Sequence, residues 1–215
     1  MNEKDDLELI YKTLDKNLKK YKIPLAEQIN VKTKDPFFVL IATILSSRTK
    51  DKTTALVCDN LFKKIKNQND LIKIEIKTLE KTIYPVGFYK TKAKNLKKLG
   101  FILKGKKIPS NLEELLKLPG VGRKTANLVL STAFKKDAIC VDTHVHRITN
   151  RIGIVETKNP TETEIELKKT LPIKLWNKTN YLFVILGQNI CFPRNPNCKV
   201  CPIEKYCKKK GVLKK

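Results

Sequence analysis

Apolar residues recur three and four positions apart along almost the whole chain, which is the period of a helix that buries one face. Near the amino terminus, for example, one helical stripe contains Leu7, Ile10, Tyr11, Leu14 and Leu18. No segment shows the sustained alternation of β-branched and polar residues that is typical of a half-buried strand. The 215 residues therefore predict an all-α protein, large enough to bury a core without disulfides.

Local signals indicate where several helices begin. Asp35-Pro36 predicts an N-cap followed by proline at the first helical position, opening an apolar helix through Leu45 that should be central to the core. Ser110-Asn111-Leu112-Glu113 predicts a capping box that opens a short helix to Leu118. Apolar spacing predicts further helices over 52–65, 70–82, 90–103, 162–171 and 177–186.

Basic side chains are in large excess, with 45 Lys and Arg against 21 Asp and Glu and a formal charge of +24. This charge predicts nucleic acid as the partner, although a solvated, Lys-rich surface would give the same count. Five of these side chains are Arg, in or beside the segments described below: Arg48, Arg123, Arg147, Arg151 and Arg194. No apolar run approaches the roughly 18 to 20 residues of a membrane-spanning helix, and Met1–Asp6 lacks the features of a signal peptide. We expect a cytoplasmic monomer without membrane contact.

Two predicted helices flank the segment Leu118-Pro119-Gly120-Val121-Gly122. Its glycines allow backbone amides to face outward, where they can bind phosphate oxygens of nucleic acid of any sequence. An ordinary tight turn between helices is the alternative. The segment is not a nucleotide-binding P-loop, because Arg123 stands where that motif needs a glycine directly before the lysine.

Lys124 and Asp142, which both follow this hairpin in the sequence, have the chemistry of catalytic groups. Lys124 falls in the first turn of the second helix, where the positive helix end, Arg123 and an expected partial burial all favour the neutral amine that a nucleophile needs. Asp142, in Val141-Asp142-Thr143-His144, predicts a carboxylate that caps the next helix and that the cap keeps fixed and ionised. A solvated lysine and a purely structural cap are the alternatives.

Four cysteines close to the carboxyl end have six, two and five residues between them: Cys191, Cys198, Cys201 and Cys207. In a reducing compartment this grouping predicts a metal centre rather than disulfides. The spacing alone leaves zinc and an iron–sulfur cluster open, because zinc sites usually have two C-x-x-C pairs and this segment has one. Cys58 and Cys140 lie in apolar surroundings and are expected in the core.

The order and distances of these motifs resemble the endonuclease III family of base excision DNA glycosylases, within the helix-hairpin-helix superfamily. Residues 118–127 are similar to the family's hairpin and catalytic lysine, residues 141–144 to its catalytic aspartate segment, and the four cysteines to its [4Fe-4S] loop. The resemblance implies two helical domains flanking a DNA-binding cleft. These would be a six-helix domain over 28–135 and a cluster domain built from 1–27 and 136–215.

The resemblance also implies an activity. The protein would remove oxidised pyrimidines from duplex DNA and cleave the strand 3′ to the abasic site. Lys124 would attack C1′ of the flipped-out nucleotide and form a Schiff base that undergoes β-elimination. Asp142 would stabilise positive charge on the sugar and assist proton transfer.

Residues that contact DNA are implied in the same way. Phe88, within Val86–Tyr89, matches the family's apolar wedge, and Arg48, within Leu45–Asp51, stands where relatives often have Gln. The remaining expected contacts are Gly120, Val121, Gly122, Arg123, Arg194 and Lys199. We expect association with the nucleoid, and a solvated basic tail over 208–215.

Two other functions stay open at this point. A monofunctional T/G or U/G mismatch glycosylase of the same superfamily is disfavoured by Lys124, which such relatives generally lack. A non-catalytic DNA-binding protein with an iron–sulfur redox sensor would be expected to lack Lys124 or Asp142, and both are present.

Overall fold

The computed structural model describes residues 3–212, with side chains from residue 6 onward, and in this range its regular structure is entirely helical, as predicted. The α-helices are α1 (Glu3–Asn17), α2 (Leu25–Thr33), α3 (Pro36–Ser46), α4 (Asp51–Lys64), α5 (Gln68–Lys73), α6 (Ile76–Ile83), α7 (Tyr89–Ile102), α8 (Leu112–Leu116), α9 (Arg123–Thr132), α10 (Thr143–Ile152), α11 (Pro160–Thr170) and α12 (Ile173–Asn189). Short 3-10 turns follow at Cys198–Val200 and Glu204–Tyr206. Within the described residues the chain divides into two units. The hairpin unit is Leu25–Lys136, and the cysteine unit consists of two segments, residues 3–24 and 137–212.

Helix α3 is at the centre of the hairpin unit. The backbone N–H of Phe37 donates to Oδ1 of the N-cap Asp35 at 2.8 Å, and Pro36 occupies the first turn. All residues from Phe37 to Leu45 are buried except Phe38, and α3 packs against α2, α4, α7 and α9. The predicted start of this helix and its central place are therefore confirmed.

Helix α2 was not predicted from the sequence. Leu25 and Ile29 are its only buried residues, so the apolar period is too short to be recognised. A polar contact holds the helix to α9, because the side-chain amide of Asn30 donates to the carbonyl oxygen of Thr132 at 3.0 Å.

The single helix predicted over 70–82 is wrong, because the chain breaks between α5 and α6. Ile74 has extended backbone, with ψ of 129°. Its carbonyl oxygen accepts a hydrogen bond from Nζ of Lys97, on α7, at 2.7 Å. The break is therefore stabilised by a side chain that lies far away in sequence.

The predicted cap of α8 is shifted by one residue. Asn111 is the N-cap and accepts from the backbone N–H of Glu114 at 2.9 Å, whereas Ser110 lies outside the helix. Asn and Ser are equally good caps, so the pattern could not separate them. The hairpin unit contains eight helices where a six-helix domain was expected, because α2 was not predicted and the helix expected over 70–82 is two helices, α5 and α6.

The cysteine unit joins the first helix to the last three. Tyr11 of α1 packs edge-on against Phe183 of α12, with ring centroids 5.5 Å apart, and its hydroxyl shares a 2.8 Å hydrogen bond with that of Thr179. The predicted apolar stripe of α1 is buried in this core. Helix α10 ends at Gly153, whose φ of 88° lies in the left-handed region that favours glycine.

None of the helices in residues 3–212 has the length and apolar content needed to cross a bilayer. Residues 213–215 of the predicted basic tail lie outside the described part of the chain.

Candidate active site and cysteine pocket

The predicted hairpin connects α8 to α9. Gly120 has a φ of 80° in the left-handed region, and a Cβ there would lie 3.0 Å from the amide nitrogen of Asn95 on α7. The turn therefore needs glycine and packs closely against α7. Gly122 is the N-cap of α9 and has no side chain that could accept from the first backbone N–H groups of the helix. Phosphate is one acceptor that suits a helix start of this kind.

The backbone amide of Val121 does not face outward, whereas the hairpin was expected to have outward-facing amides. Its side chain is buried, and its backbone N–H donates to the carbonyl oxygen of Leu118 at 3.1 Å. Val121 therefore holds the turn together. The exposed residues of the hairpin are Gly120, Gly122 and Arg123.

Lys124 lies in the first turn of α9, as predicted, but the expectation of partial burial is wrong because its side chain is exposed. Helical side chains lean toward the amino end of their helix. A first-turn lysine therefore extends past the hairpin, while the buried residues of α9 run from Thr125 to Thr132. The side chain of Lys124 therefore lies outside the buried core of α9.

Asp142 is the N-cap of α10 and is partly buried. Its Oδ1 accepts hydrogen bonds from the backbone N–H groups of His144 and Val145, both at 2.9 Å. The cap fixes the side chain through one oxygen, and Oδ2 is not part of it. A cap of this kind holds an ionised carboxylate at the positive end of the helix.

Arg48 and Phe88 are brought together although they come from different loops of the hairpin unit. The guanidinium carbon of Arg48 lies 5.3 Å from the centroid of the Phe88 ring, which is a cation–π distance. Both side chains are exposed, Phe88 by 62%. The pair thus presents an aromatic ring and a cation to the solvent.

The four predicted metal ligands line one pocket in the cysteine unit, whose walls enclose about 330 Å³ of empty space, part of it open to solvent. Two of the sulfur atoms accept hydrogen bonds. Nη1 of Arg151 donates to Sγ of Cys191 at 3.3 Å, and the backbone N–H of Lys209 donates to Sγ of Cys207 at 3.4 Å. Donors aimed at sulfur are what thiolate ligands require.

Burial raises the pKa of Cys201 to about 11 and also raises the pKa of Cys207. These thiols keep their protons unless a bound cation compensates for the burial. No three His, Cys, Asp or Glu side chains within residues 3–212 form a group that could hold a single metal ion. Arg194 and Lys199 are exposed on the loop between the cysteines.

Sequence reasoning missed the structural part played by Arg147 and Arg151, which lie four residues apart on α10. Nη2 of Arg147 donates to the carbonyl oxygen of Cys191 at 2.8 Å, and burial lowers the pKa of this guanidinium. Arg151 donates to the carbonyl oxygens of Phe192 and Pro193 at 2.7 and 2.8 Å. The helical spacing of two scarce arginines after Asp142 was the signal that could have shown this role.

An all-α chain with a glycine hairpin between two helices, an accessible lysine directly after it and a carboxylate-capped helix further on belongs to the helix-hairpin-helix class of DNA-binding proteins. Residues 41–172 match the family described as HhH-GPD superfamily base excision DNA repair protein. The endonuclease III of Thermotoga maritima is 48% identical over 181 residues, which cover 83% of this chain and 85% of the relative.

Solved structures agree with this match. A non-covalent endonuclease III–DNA complex superposes with a TM-score of 0.85 at 34% identity, over 97% of both chains. A trapped endonuclease III–DNA covalent intermediate, the estranged-adenine complex, superposes with a TM-score of 0.83 at 32% identity, also over 97% of both chains.

The chain therefore belongs to the HhH-GPD superfamily and, within it, to the endonuclease III family. It is a bifunctional base excision repair enzyme that acts on DNA, a glycosylase with lyase activity at abasic sites. The resemblance inferred from the sequence is confirmed, and neither the mismatch glycosylase nor the non-catalytic redox sensor is favoured.

Proposed function

We propose that the enzyme removes oxidised pyrimidines from duplex DNA, with Lys124 as the nucleophile and Asp142 as the residue that stabilises positive charge on the sugar. The observation that carries this assignment is the place of Lys124 in the first turn of α9, directly after a glycine hairpin suited to phosphate. The hairpin would grip the backbone of a DNA strand, and the amine would meet the flipped-out nucleotide of the same strand.

The reaction follows from the chemistry of an amine and an N-glycosidic bond. The lone pair of Lys124 attacks C1′ and the bond from C1′ to the base breaks, so that the base departs with the bonding electrons and takes up a proton. The attached nitrogen then loses a proton, and its lone pair forms the C=N bond of a protonated Schiff base as the bond from C1′ to the ring oxygen breaks; that oxygen stays on C4′ and takes up a proton. Removal of a proton from C2′ allows the 3′ C–O bond to break by β-elimination. Asp142, whose side chain is fixed by its cap, favours the positive charge that develops on the sugar and assists the proton transfers.

The proposed DNA contacts fall into two groups. Gly120, Gly122 and Arg123 bind phosphate at the hairpin, with Val121 supporting the turn from within. A second phosphate contact comes from the exposed side chains of Arg194 and Lys199. Phe88 and Arg48 enter the space that the flipped nucleotide leaves in the duplex, which their exposure and mutual contact support.

We further propose that a [4Fe-4S] cluster is held by Cys191, Cys198, Cys201 and Cys207. All four line one pocket, and two of their sulfur atoms accept N–H bonds. The spacing of the four cysteines resembles the [4Fe-4S] loop of the endonuclease III family, to which the chain belongs, and this favours a cluster over zinc. When bound, the cluster would supply the positive charge that lets the four thiolates share a pocket, and the anchored loop would present Arg194 and Lys199. Equal amounts of iron and acid-labile sulfide in the purified protein would support the cluster, and zinc in their place would contradict it.

The domain organisation proposed from the family is 28–135 for the hairpin domain, with 1–27 and 136–215 for the cluster domain. We propose that the enzyme acts as a monomer and, because its substrate is DNA, that it works at the cytoplasmic nucleoid.

The nucleophile is tested by borohydride trapping, which reduces a Schiff base to a stable adduct. Duplexes carrying thymine glycol or an abasic site are each incubated with the wild type, with Lys124→Ala and with Lys98→Ala, the last removing an exposed lysine of α7. We expect an adduct on both duplexes for the wild type and for Lys98→Ala, and none for Lys124→Ala. Strand cleavage retained by Lys124→Ala at abasic sites would mean that another residue is the nucleophile, and base release without any adduct would restore the monofunctional alternative.

A further inference from the structure

Arg48 and Phe88 share an unusual backbone conformation. Their φ angles are 52° and 59°, in the left-handed region that non-glycine residues seldom adopt. Such residues persist only where the surroundings hold them in place. Because both side chains are exposed, the holding contacts must come from the rest of the two loops and from the elements beneath them.

The side chain of Lys92 supplies these contacts to the Arg48 loop. It is buried, with 7% exposure, and Nζ donates to the carbonyl oxygens of Leu45 and Ser47 at 2.8 and 2.6 Å and to Oγ1 of Thr49 at 3.4 Å. The carbonyls belong to the end of α3, where backbone oxygens have no helical partner and the helix dipole is negative. An ammonium group has three donors for these three acceptors.

Lys92 also follows Phe88 by one helical turn. Its backbone N–H donates to the carbonyl oxygen of Phe88 at 3.0 Å, in the first turn of α7. The two loops meet next to it, because Oγ1 of Thr49 accepts the backbone N–H of Gly87 at 3.0 Å. A Cβ on Gly87 would lie only 2.7 Å from the carbonyl oxygen of Arg48, so no larger residue fits this approach.

We propose that Lys92 is a positioning residue for base excision: it locks the Arg48 and Phe88 loops together, so that the cation–π pair is assembled before DNA arrives. A preassembled pair loses less conformational freedom when it enters the duplex than two mobile loops would. The inference rests on the proposed function of Arg48 and Phe88 and deepens it, since it names the residue through which both are held.

The test separates positioning in a duplex from catalysis itself. Single-turnover excision of thymine glycol from a duplex requires the pair, whereas borohydride trapping at an abasic site in a single strand requires no gap to be filled. We expect Lys92→Met to lower duplex excision by about tenfold or more, the size typical of a misplaced reactive geometry, and to leave single-strand trapping within about twofold of wild type.

The chain provides a matched control on the same helix. Lys97 is partly buried on α7, and its Nζ also donates to two carbonyl oxygens, those of Ile72 and Ile74, which belong to neither loop. Lys97→Met should leave both assays within about twofold of wild type. Equal losses of duplex excision in Lys92→Met and Lys97→Met would overturn the inference.

Two more variants keep the outcome interpretable. If Lys92→Met fails to fold, Thr49→Val removes only the hydroxyl that joins the loops, and a loss of duplex excision without a loss of trapping is still expected. Lys92→Met combined with Phe88→Ala should be no worse than Phe88→Ala alone, because Lys92 acts through that ring. If Phe88→Ala itself excises normally, the proposed function of Phe88 is wrong. If Phe88→Ala is impaired while Lys92→Met and Thr49→Val excise normally, only the positioning role of Lys92 is wrong.

Discussion

The ammonium group of Lys92 is surrounded by uncharged oxygen atoms, and burial lowers its pKa from 10.5 to about 8. In the unfolded chain the same group keeps its ordinary pKa. Between pH 8 and pH 10.5 the unfolded state therefore binds a proton that the folded state has released. By linkage, this residue makes the folded state more stable as the pH rises through that window.

The prediction is a pH-dependent difference between the wild type and Lys92→Met. The free energy of unfolding of the wild type, relative to that of the variant, should increase between pH 8 and pH 10.5, by at most about 3 kcal/mol. Below pH 8 both folded and unfolded Lys92 are protonated and the difference should be constant. Chemical denaturation of both proteins at a series of pH values measures it, and the subtraction removes the titration of all other groups. A difference that stays constant through the window, or falls, would contradict the burial of a charged amine here.

At the scale of single elements, the helix starts that were predicted correctly depend on local chemistry. Asp35 caps α3 and Asp142 caps α10 because a short side chain reaches backbone N–H groups two or three residues ahead. The break at Ile74 could not be predicted, since its carbonyl oxygen is satisfied by Lys97 from another helix. The contacts of Lys92 could not be predicted for the same reason: its acceptors lie at the end of α3, more than forty positions away.

The cap of α10 allows the two roles of Asp142 to be separated. Asp142→Asn keeps an oxygen that can accept from His144 and Val145, so stability should change by less than about 0.5 kcal/mol. It removes the negative charge, and excision should fall by about a hundredfold or more. Thermal unfolding and single-turnover excision measure the two effects separately.

Asn159, the N-cap of α11, is the matched control for this prediction. Its side chain accepts from the backbone N–H of Glu162 at 3.0 Å, so Asn159→Ala should cost about 1 kcal/mol of stability with little effect on excision. If Asp142→Asn excised like the wild type, the carboxylate would serve α10 only as a cap.

For the molecule as a whole, the candidate site residues could be proposed from the sequence because each lies in a short motif of fixed spacing. Their surroundings could not. The exposure of Lys124, the use of the Val121 amide inside its own turn and the hydrogen bonds of Arg147 to the cysteine loop all depend on how helices pack. The net charge of +24 is also a property of the whole molecule. It predicts attraction to DNA but does not identify the cations that contact it.

The salt dependence of DNA affinity can show which basic side chains contact phosphate. The slope of log affinity against log salt concentration is negative, and each phosphate contact made by a cation adds about 0.9 to its magnitude. Arg194→Gln with Lys199→Gln should therefore reduce that magnitude by about 2 on an undamaged duplex. The control, Lys174→Gln with Lys178→Gln, removes the same charge from lysines that are ion-paired with Glu8 and Asp15, and its slope should stay at the wild-type value. Fluorescence anisotropy at four or more salt concentrations gives the slopes. An equal reduction in both double variants would mean that the total charge, rather than the loop between the cysteines, governs binding.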